Sequence, residues 1–441
     1  MRRSILPGLA LALLFGVRAN AEQAAGAAAA RAVADQVIVW RRDIHQHPEL
    51  GNRETRTATL VAAQLRALGL TVETGVAKTG VIAILKGGFP GPRIAIRADM
   101  DALPVVEETE LPFASKQRAQ FNGAEVGVMH ACGHDAHTAM TLGVATALAG
   151  LREQLHGEVM FIFQPAEEGA PNGEEGGAEL MLKEGLFERY PPVAIFGMHV
   201  FYTLHAGEIG VREGPMLAGS DRFQIEIIGK QTHGAQPWRG VDPIVTAALL
   251  INQAQTIVSR RLDISTLPVV LSFGSIHGGL RYNIIPERVV LEGTIRSFDA
   301  GMRQQTLDDL NRIAANVTAA QGARVNSFIP LPGAVNPVTR NDPELTRRLR
   351  PSLERAVGAE NVKTIAPNMV AEDFAYFANR VPGLYFFVGS VPPAADLARA
   401  EPNHSPRFFL DEDALAVGTR AMLQIALDAL AADSALPTAA R

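Results

Sequence analysis

Cysteine is almost missing: one residue, Cys132, in a chain of 441. No intramolecular disulfide can form, so burial and hydrogen bonding must hold the fold. Basic runs are missing too. No stretch of Lys and Arg exceeds a pair and the formal charge is −5, which leaves no electrostatic footprint for a nucleic acid. No internal repeat is visible, which removes solenoid architectures. Long apolar runs occur only at the start. There Arg2 and Arg3 precede an apolar stretch over 5–17 that is too short to span a bilayer, and Ala19-Asn20-Ala21 forms a small-x-small cleavage site. This pattern predicts a signal peptide over 1–21, cleavage after Ala21, and a periplasmic or secreted chain with no membrane attachment once cleaved. A lone thiol kept in an oxidising compartment then needs an explanation other than pairing.

What is present is an ordinary globular composition, 47% hydrophobic, which argues against large-scale disorder. The length exceeds what one core usually serves and predicts at least two domains. An Ala-rich helix is expected over 24–47, stopped by Pro48, and another over 54–69. VIAILKGG and RIAIRADM flank a Gly/Pro turn and read as a hairpin. Asp135 is placed to cap a helix over 136–151. GEVMFIFQP and VAIFGMHV read as buried strands separated by a helix, the pattern of an α/β layer with a mostly parallel sheet and helices on both faces. From 219 the texture changes. Alternating strands and two helices, one introduced by Asp242-Pro243, follow the order βαββαβ of a ferredoxin-like α+β unit. The expected division is 22–218 and 331–441 for the α/β domain and 219–330 for the insert. The tail 434–441 reads as disordered.

The chemistry concentrates in a few stretches. GVMHACGHDAHTAM packs three histidines, an acid and the sole cysteine together. If a helix begins after Asp135, Cys132 and His134 lie two apart in the preceding loop and can converge. Metal ligation, a nucleophilic thiol and a purely structural role all stay open for this stretch alone. Glu167 and Glu168 follow an apolar strand, where open α/β sheets place their sites, and His199 and His404 sit at or beyond the ends of two other strands. Taken together, Cys132, His134, Glu168, His199 and His404 form a set of good ligands for a borderline-soft divalent cation.

MHACGHDAHTAM, RADMDALP, QPAEEG, GMHV, EDFAYF and NHSP resemble, in order, the metal-dependent amidohydrolases and carboxypeptidases that include hippurate hydrolases, N-acyl-amino-acid amidohydrolases and auxin-conjugate hydrolases. The resemblance runs from about 37 to about 430. It implies two divalent ions, zinc first with manganese, cobalt or nickel as alternatives, on Cys132, His134, Glu168, His199 and His404, with Glu167 as general base and later acid. Asp99 stands where many relatives have a ligand histidine, matching the cysteine-containing subfamily. Asp101 is expected to orient a ligand histidine from behind. In the insert, His233 resembles a residue that relatives supply from a partner subunit to stabilise an oxyanion, and Asn283 and Arg296 resemble residues that grip a substrate carboxylate. Trp238 departs from a histidine common in relatives. The implied protein is a homodimeric amide hydrolase acting on N-acyl or N-aroyl amino acids, or on short peptides by the same mechanism. A cysteine hydrolase using Cys132 and a non-catalytic binding protein are the alternatives from other classes.

Overall fold

The computed structural model describes residues 8–333 and 335–431, with side chains from residue 24 onward. The first seven residues of the expected signal peptide and the tail 434–441 lie outside the described residues. Two units divide the chain: Met1–Gly214 with Asn341–Ile365 and Phe377–Arg441, and Pro215–Arg340 with Ala366–Tyr376. The second unit therefore also takes in a segment beyond residue 330.

The first unit is built on an eight-stranded sheet. Its order is Thr71–Val76, Gly80–Lys86, His156–Gln164, Phe89–Asp99, Ala194–His205, Gly383–Val391, Ile209–Val211 and Val362–Thr364. The four strands from His156–Gln164 to Gly383–Val391 pair in parallel. Their segments are apolar without alternation (VMFIF, AIFGMHV, LYFFV) because both faces of a parallel sheet are covered. The segments expected to form a hairpin do not pair with one another. His156–Gln164 lies between them, antiparallel to Gly80–Lys86 and parallel to Phe89–Asp99. The turn residues are used instead to cross over that strand, with Gly87 N–H donating to Gly157 O at 2.8 Å.

The helix Gly8–Gln46 packs with His134–Gly150 and Asp413–Ala429, the last of which also packs on Pro343–Val357. His134–Gly150 is buried on nearly every side, which explains an apolar content too even for an amphipathic helix. Its start differs from expectation. Gly133, at φ 91°, precedes the first helical residue, His134, and Asp135 falls inside the first turn. Asp135 is not the cap because its carboxylate is engaged elsewhere, accepting from Arg41 Nε at 2.9 Å and lying 2.8 Å from His45 Nδ1. No helix among the described residues is long and apolar enough to cross a membrane.

The second unit has a five-stranded antiparallel sheet in the order Val270–Gly278, Arg288–Ser297, Gly219–Ile228, Arg324–Phe328, with short Val335–Asn336 pairing on the start of Gly219–Ile228. Gly219–Ile228 alternates buried and less buried residues, as a strand covered on one face should. Phe223, Ile225 and Ile227 meet Leu250 of Pro243–Arg260 and Leu310 and Ile313 of Ala300–Ala320. Asp242 caps the first helix, accepting from Ile244 N and Val245 N, and Asp299 caps the second from Met302 N, each worth about 1 kcal/mol.

Candidate metal centre

The parallel strands of the first unit deliver their side chains at one end of the sheet. Phe89–Asp99 leads to Asp101, and His156–Gln164 leads to Glu167 and Glu168. His134 opens its helix. His404 lies beyond the last long strand, in a loop whose His404 N–H donates to Ala131 O at 2.7 Å. His199 does not end its strand, which runs on to His205 paired with Gly383–Val391.

These groups come together. Cys132 Sγ is 3.3 Å from His199 Nε2. His134 Nε2 is 3.8 Å from Glu167 Oε2 and 3.9 Å from Glu168 Oε1, and His404 Nε2 is 3.0 Å from Glu168 Oε1. Ligand atoms of Cys132, His134 and His199 all lie within 4.8 Å of one another, and so do those of Cys132, Glu168 and His404. Cys132 is common to both groups. The first is fully buried, whereas the second opens toward solvent through His404, whose side chain is 54% exposed.

Hydrogen bonds set the tautomers. His199 Nδ1 donates to Val200 O at 2.7 Å, which turns the Nε2 lone pair toward Cys132. His134 Nδ1 faces Asp101 Oδ1 at 3.2 Å, and its Nε2 is buried with no hydrogen-bond partner. A buried imidazole nitrogen left unpaired among a thiol and carboxylates is what a metal ligand looks like before the ion is counted, since buried polar atoms are otherwise nearly always satisfied. The donor set of soft sulfur, imidazole nitrogen and carboxylate fits a borderline divalent cation.

The third histidine of the motif is different. His137 Nδ1 lies 2.6 Å from Asp99 Oδ1, and His137 Nε2 accepts from Val200 N at 2.8 Å, so both ring nitrogens are used. Asp99 also pairs with the fully buried Arg97, Nη1 to Oδ2 at 2.6 Å. Arg97, Asp99 and His137 therefore make a packed hydrogen-bonded network, with no lone pair of His137 left for an ion.

The electrostatics favour added positive charge. Burial, followed by the charges of Glu168 and Glu167, pushes the Cys132 thiol well above its usual range. Burial opposes a charge on His134, yet Asp99 and Asp101 outweigh it and raise that imidazole to about 10. His199 is pushed well below the ordinary histidine range by burial and then by His137, so it is a neutral donor.

Three positioning contacts were not legible in the sequence. Asp101 serves two ligands, because its Oδ2 also accepts from Glu168 N at 2.9 Å. Asn403 Nδ2 reaches Cys132 O at 3.1 Å and Val200 O at 3.2 Å, tying the His404 loop to the backbone of two other donors. Glu54 accepts from Ala166 N at 2.8 Å. The only available signal was adjacency, since Asn403 directly precedes a candidate ligand.

The remaining candidates lie in the second unit. Thr232–His233 pairs with Ile284–Ile285, and Gly234 N–H donates to Asn283 O at 2.9 Å, so His233 and Asn283 are neighbours. His233 Nδ1 accepts from Ala235 N at 3.0 Å, which leaves Nε2–H of the exposed neutral ring as a donor. Asn283 Oδ1 is buried without a partner. Arg296 is half-buried on the inner strand Arg288–Ser297 and makes no side-chain hydrogen bond among the described residues. Nearby Asp221 is occupied by Arg303, through contacts of 2.8 and 2.5 Å.

Histidines, a thiol and paired carboxylates at one end of a parallel sheet are the layout of a metallohydrolase. The chain belongs to the peptidase family M20/M25/M40, whose pattern it matches over residues 95–428. It is 38% identical over 398 residues to a thermostable carboxypeptidase of Saccharolobus solfataricus, covering 90% of this chain and 96% of that one. It is 37% identical over 380 residues to an N-acetyl-L-cysteine deacetylase of Bacillus subtilis, covering 86% and 85%. The crystal structure of a dinuclear metal-binding peptidase of the M20 family from Bacillus subtilis superposes with a TM-score of 0.73 at 35% identity, covering 91% of this chain and 99% of that one. The protein is thus a metallohydrolase of amide or peptide bonds.

Proposed function

We propose that the protein hydrolyses the amide bond of N-acyl or N-aroyl amino acids, with two divalent ions held by Cys132, His134, Glu168, His199 and His404. The observation that carries this reading is the pair of three-donor groups meeting at Cys132. Cys132, common to both groups, would be the residue placed to serve both ions, which five ligands for two ions require. When bound, such ions acidify a water and polarise the scissile carbonyl. Glu167, 8% exposed and 3.8 Å from His134 Nε2, takes the proton of the attacking water and delivers it to the leaving amine. Asp101 holds His134 in the tautomer that presents Nε2 and fixes the Glu168 backbone. The Nε2–H of His233 is assigned to the developing oxyanion, and Asn283 and Arg296 to the substrate carboxylate.

The acyl-amino-acid reading draws on the deacetylase, and a carboxypeptidase or dipeptidase activity on the carboxypeptidase relative. Both reactions leave a free carboxylate beside the cleaved amide. The electrostatics disfavour Cys132 as a nucleophile, because a reactive thiol needs neighbouring positive charge and this one faces carboxylates. Residues 1–21 support export to the periplasm or beyond. Homodimer formation fits the exposed Ile244, Val245 and Leu249 on one helix and the exposed edge strand Val270–Gly278. The test is a panel of acetyl-, benzoyl- and peptidyl-amino acids before and after chelation. Turnover of acyl-amino acids that chelation abolishes and zinc or manganese restores is expected. Chelator-resistant turnover, or cleavage of peptides alone, contradicts the reading.

Metal binding should also release protons. Cys132 and His134 both hold theirs at pH 7 and must give them up to ligate. His404 is raised as well by its hydrogen bond to Glu168, so apparent affinity should rise with pH until the His134 range near 10 is approached. Calorimetry in buffers of different ionisation enthalpy counts the protons released.

A further inference from the structure

We propose that Glu54 is a positioning residue that sets Glu167 and Glu168 in place through the backbone of Ala166; the claim rests on the roles given to those two glutamates above. Glu54 stands just before the helix Thr55–Ala67 yet makes no cap hydrogen bond. Its side chain turns inward and is completely buried. Oε1 accepts from Ala166 N at 2.8 Å and Asn52 N at 3.1 Å, and Oε2 accepts from Thr79 Oγ1 at 2.5 Å. No cation pairs with it among the described residues. Burial, followed by the charge of Asp101, pushes this carboxyl up to about 7, and an acid buried at such a cost with no counter-ion points to a specific task.

That task is visible at Ala166, which holds φ 50°, a left-handed conformation that residues other than glycine rarely adopt. It falls directly after Pro165 at the end of the strand His156–Gln164 and directly before Glu167. In a continuing strand, adjacent side chains would point to opposite faces. The left-handed residue breaks this alternation, and both carboxylates come within 4 Å of His134 Nε2. Packing points the same way. A Cβ on Gly51 would lie 3.0 Å from Gly169 O and 3.2 Å from Ala166 Cα, and one on Gly176 would lie 3.0 Å from Ala166 Cβ. The other end of the same short segment is bonded to the residue after Asp101, with Ala102 N–H donating to Glu49 O at 2.8 Å. Residues 49–54 thus brace both backbones that present His134's carboxylate neighbours.

The test compares Glu54→Gln, which keeps an acceptor for the two amides but cannot ionise, with Glu54→Asp, which can still ionise but cannot reach Ala166. Zinc titration by calorimetry and steady-state kinetics are run on the full chain, with circular dichroism confirming the fold. Glu54→Gln is expected to stay within about threefold of wild type in kcat and in both zinc affinities. Glu54→Asp is expected to lose about 10- to 100-fold in kcat with little change in KM, and to weaken one of the two zinc-binding events by a similar factor while sparing the other. A Glu54→Asp protein with unchanged kcat and two unchanged zinc affinities overturns the positioning role alone. So does a Glu54→Gln protein as impaired as Glu54→Asp, because charge would then be the active property. A wild-type chain that binds no second zinc, or a Glu167→Ala variant that turns over normally, overturns the underlying roles instead.

Discussion

Glu167→Ala is expected to bind two metal equivalents and to lose at least about a hundredfold in kcat, the lower range of what a positioned general base contributes. Distance from His134 does not separate Glu167 from Glu168, at 3.8 and 3.9 Å. Two other contacts do. Glu168 also meets His404 at 3.0 Å and joins the donor group that contains Cys132, and its amide is pinned by Asp101. Glu168 is therefore tied into the ligand set on two sides, whereas Glu167 stands outside both groups that contain Cys132 and is assigned the proton transfer. Glu168→Ala should behave differently, losing one metal equivalent along with activity. Elemental analysis paired with kinetics reads both. A Glu167→Ala variant that turns over near normally contradicts the base assignment, and one that loses a metal makes Glu167 a ligand.

Cys132→Ala should have the larger effect on loading. Because both donor groups include this sulfur, its removal leaves two pairs of ligands where there were two triads. Metal content should fall from two equivalents to less than one at micromolar zinc, and activity should fall with it. The same substitution separates the alternatives. A nucleophilic cysteine would leave metal content intact while activity vanished, and a structural cysteine would lower stability without touching either in the folded fraction. Ligation would also account for a lone thiol, since it occupies the lone pairs through which sulfur oxidises.

The donor residues were readable in the sequence because each follows an apolar strand or opens a helix, and strand ends of an open parallel sheet converge. Glu168 and His404 follow strands, His134 opens its helix with Cys132 two residues before it, and His199 reaches the same place from within its strand. The errors arose where a local signal was outbid by a distant partner. Asp135 has the composition of a cap, but Arg41 and His45, far back in the chain, take its carboxylate. The glycines after Leu85 look like a hairpin turn, but the strand His156–Gln164 inserts between the two arms. Glu54 and Asn403 were unreadable for a different reason. They act on backbone groups, Ala166 N, Cys132 O and Val200 O, and a backbone group leaves no mark in the sequence. His137 shows the opposite hazard, a histidine at ligand-like spacing whose nitrogens are both spent on Asp99 and Val200.

Two donor groups that meet at Cys132 imply that two ions would share one sulfur. A crystal grown with zinc, with data collected on either side of the zinc absorption edge, tests it most directly. Two anomalous peaks are expected, each about 2.3 Å from Cys132 Sγ, one with His134 and His199 and the other with Glu168 and His404 at about 2.0–2.2 Å. A single peak, or two peaks of which only one touches Cys132, would contradict it.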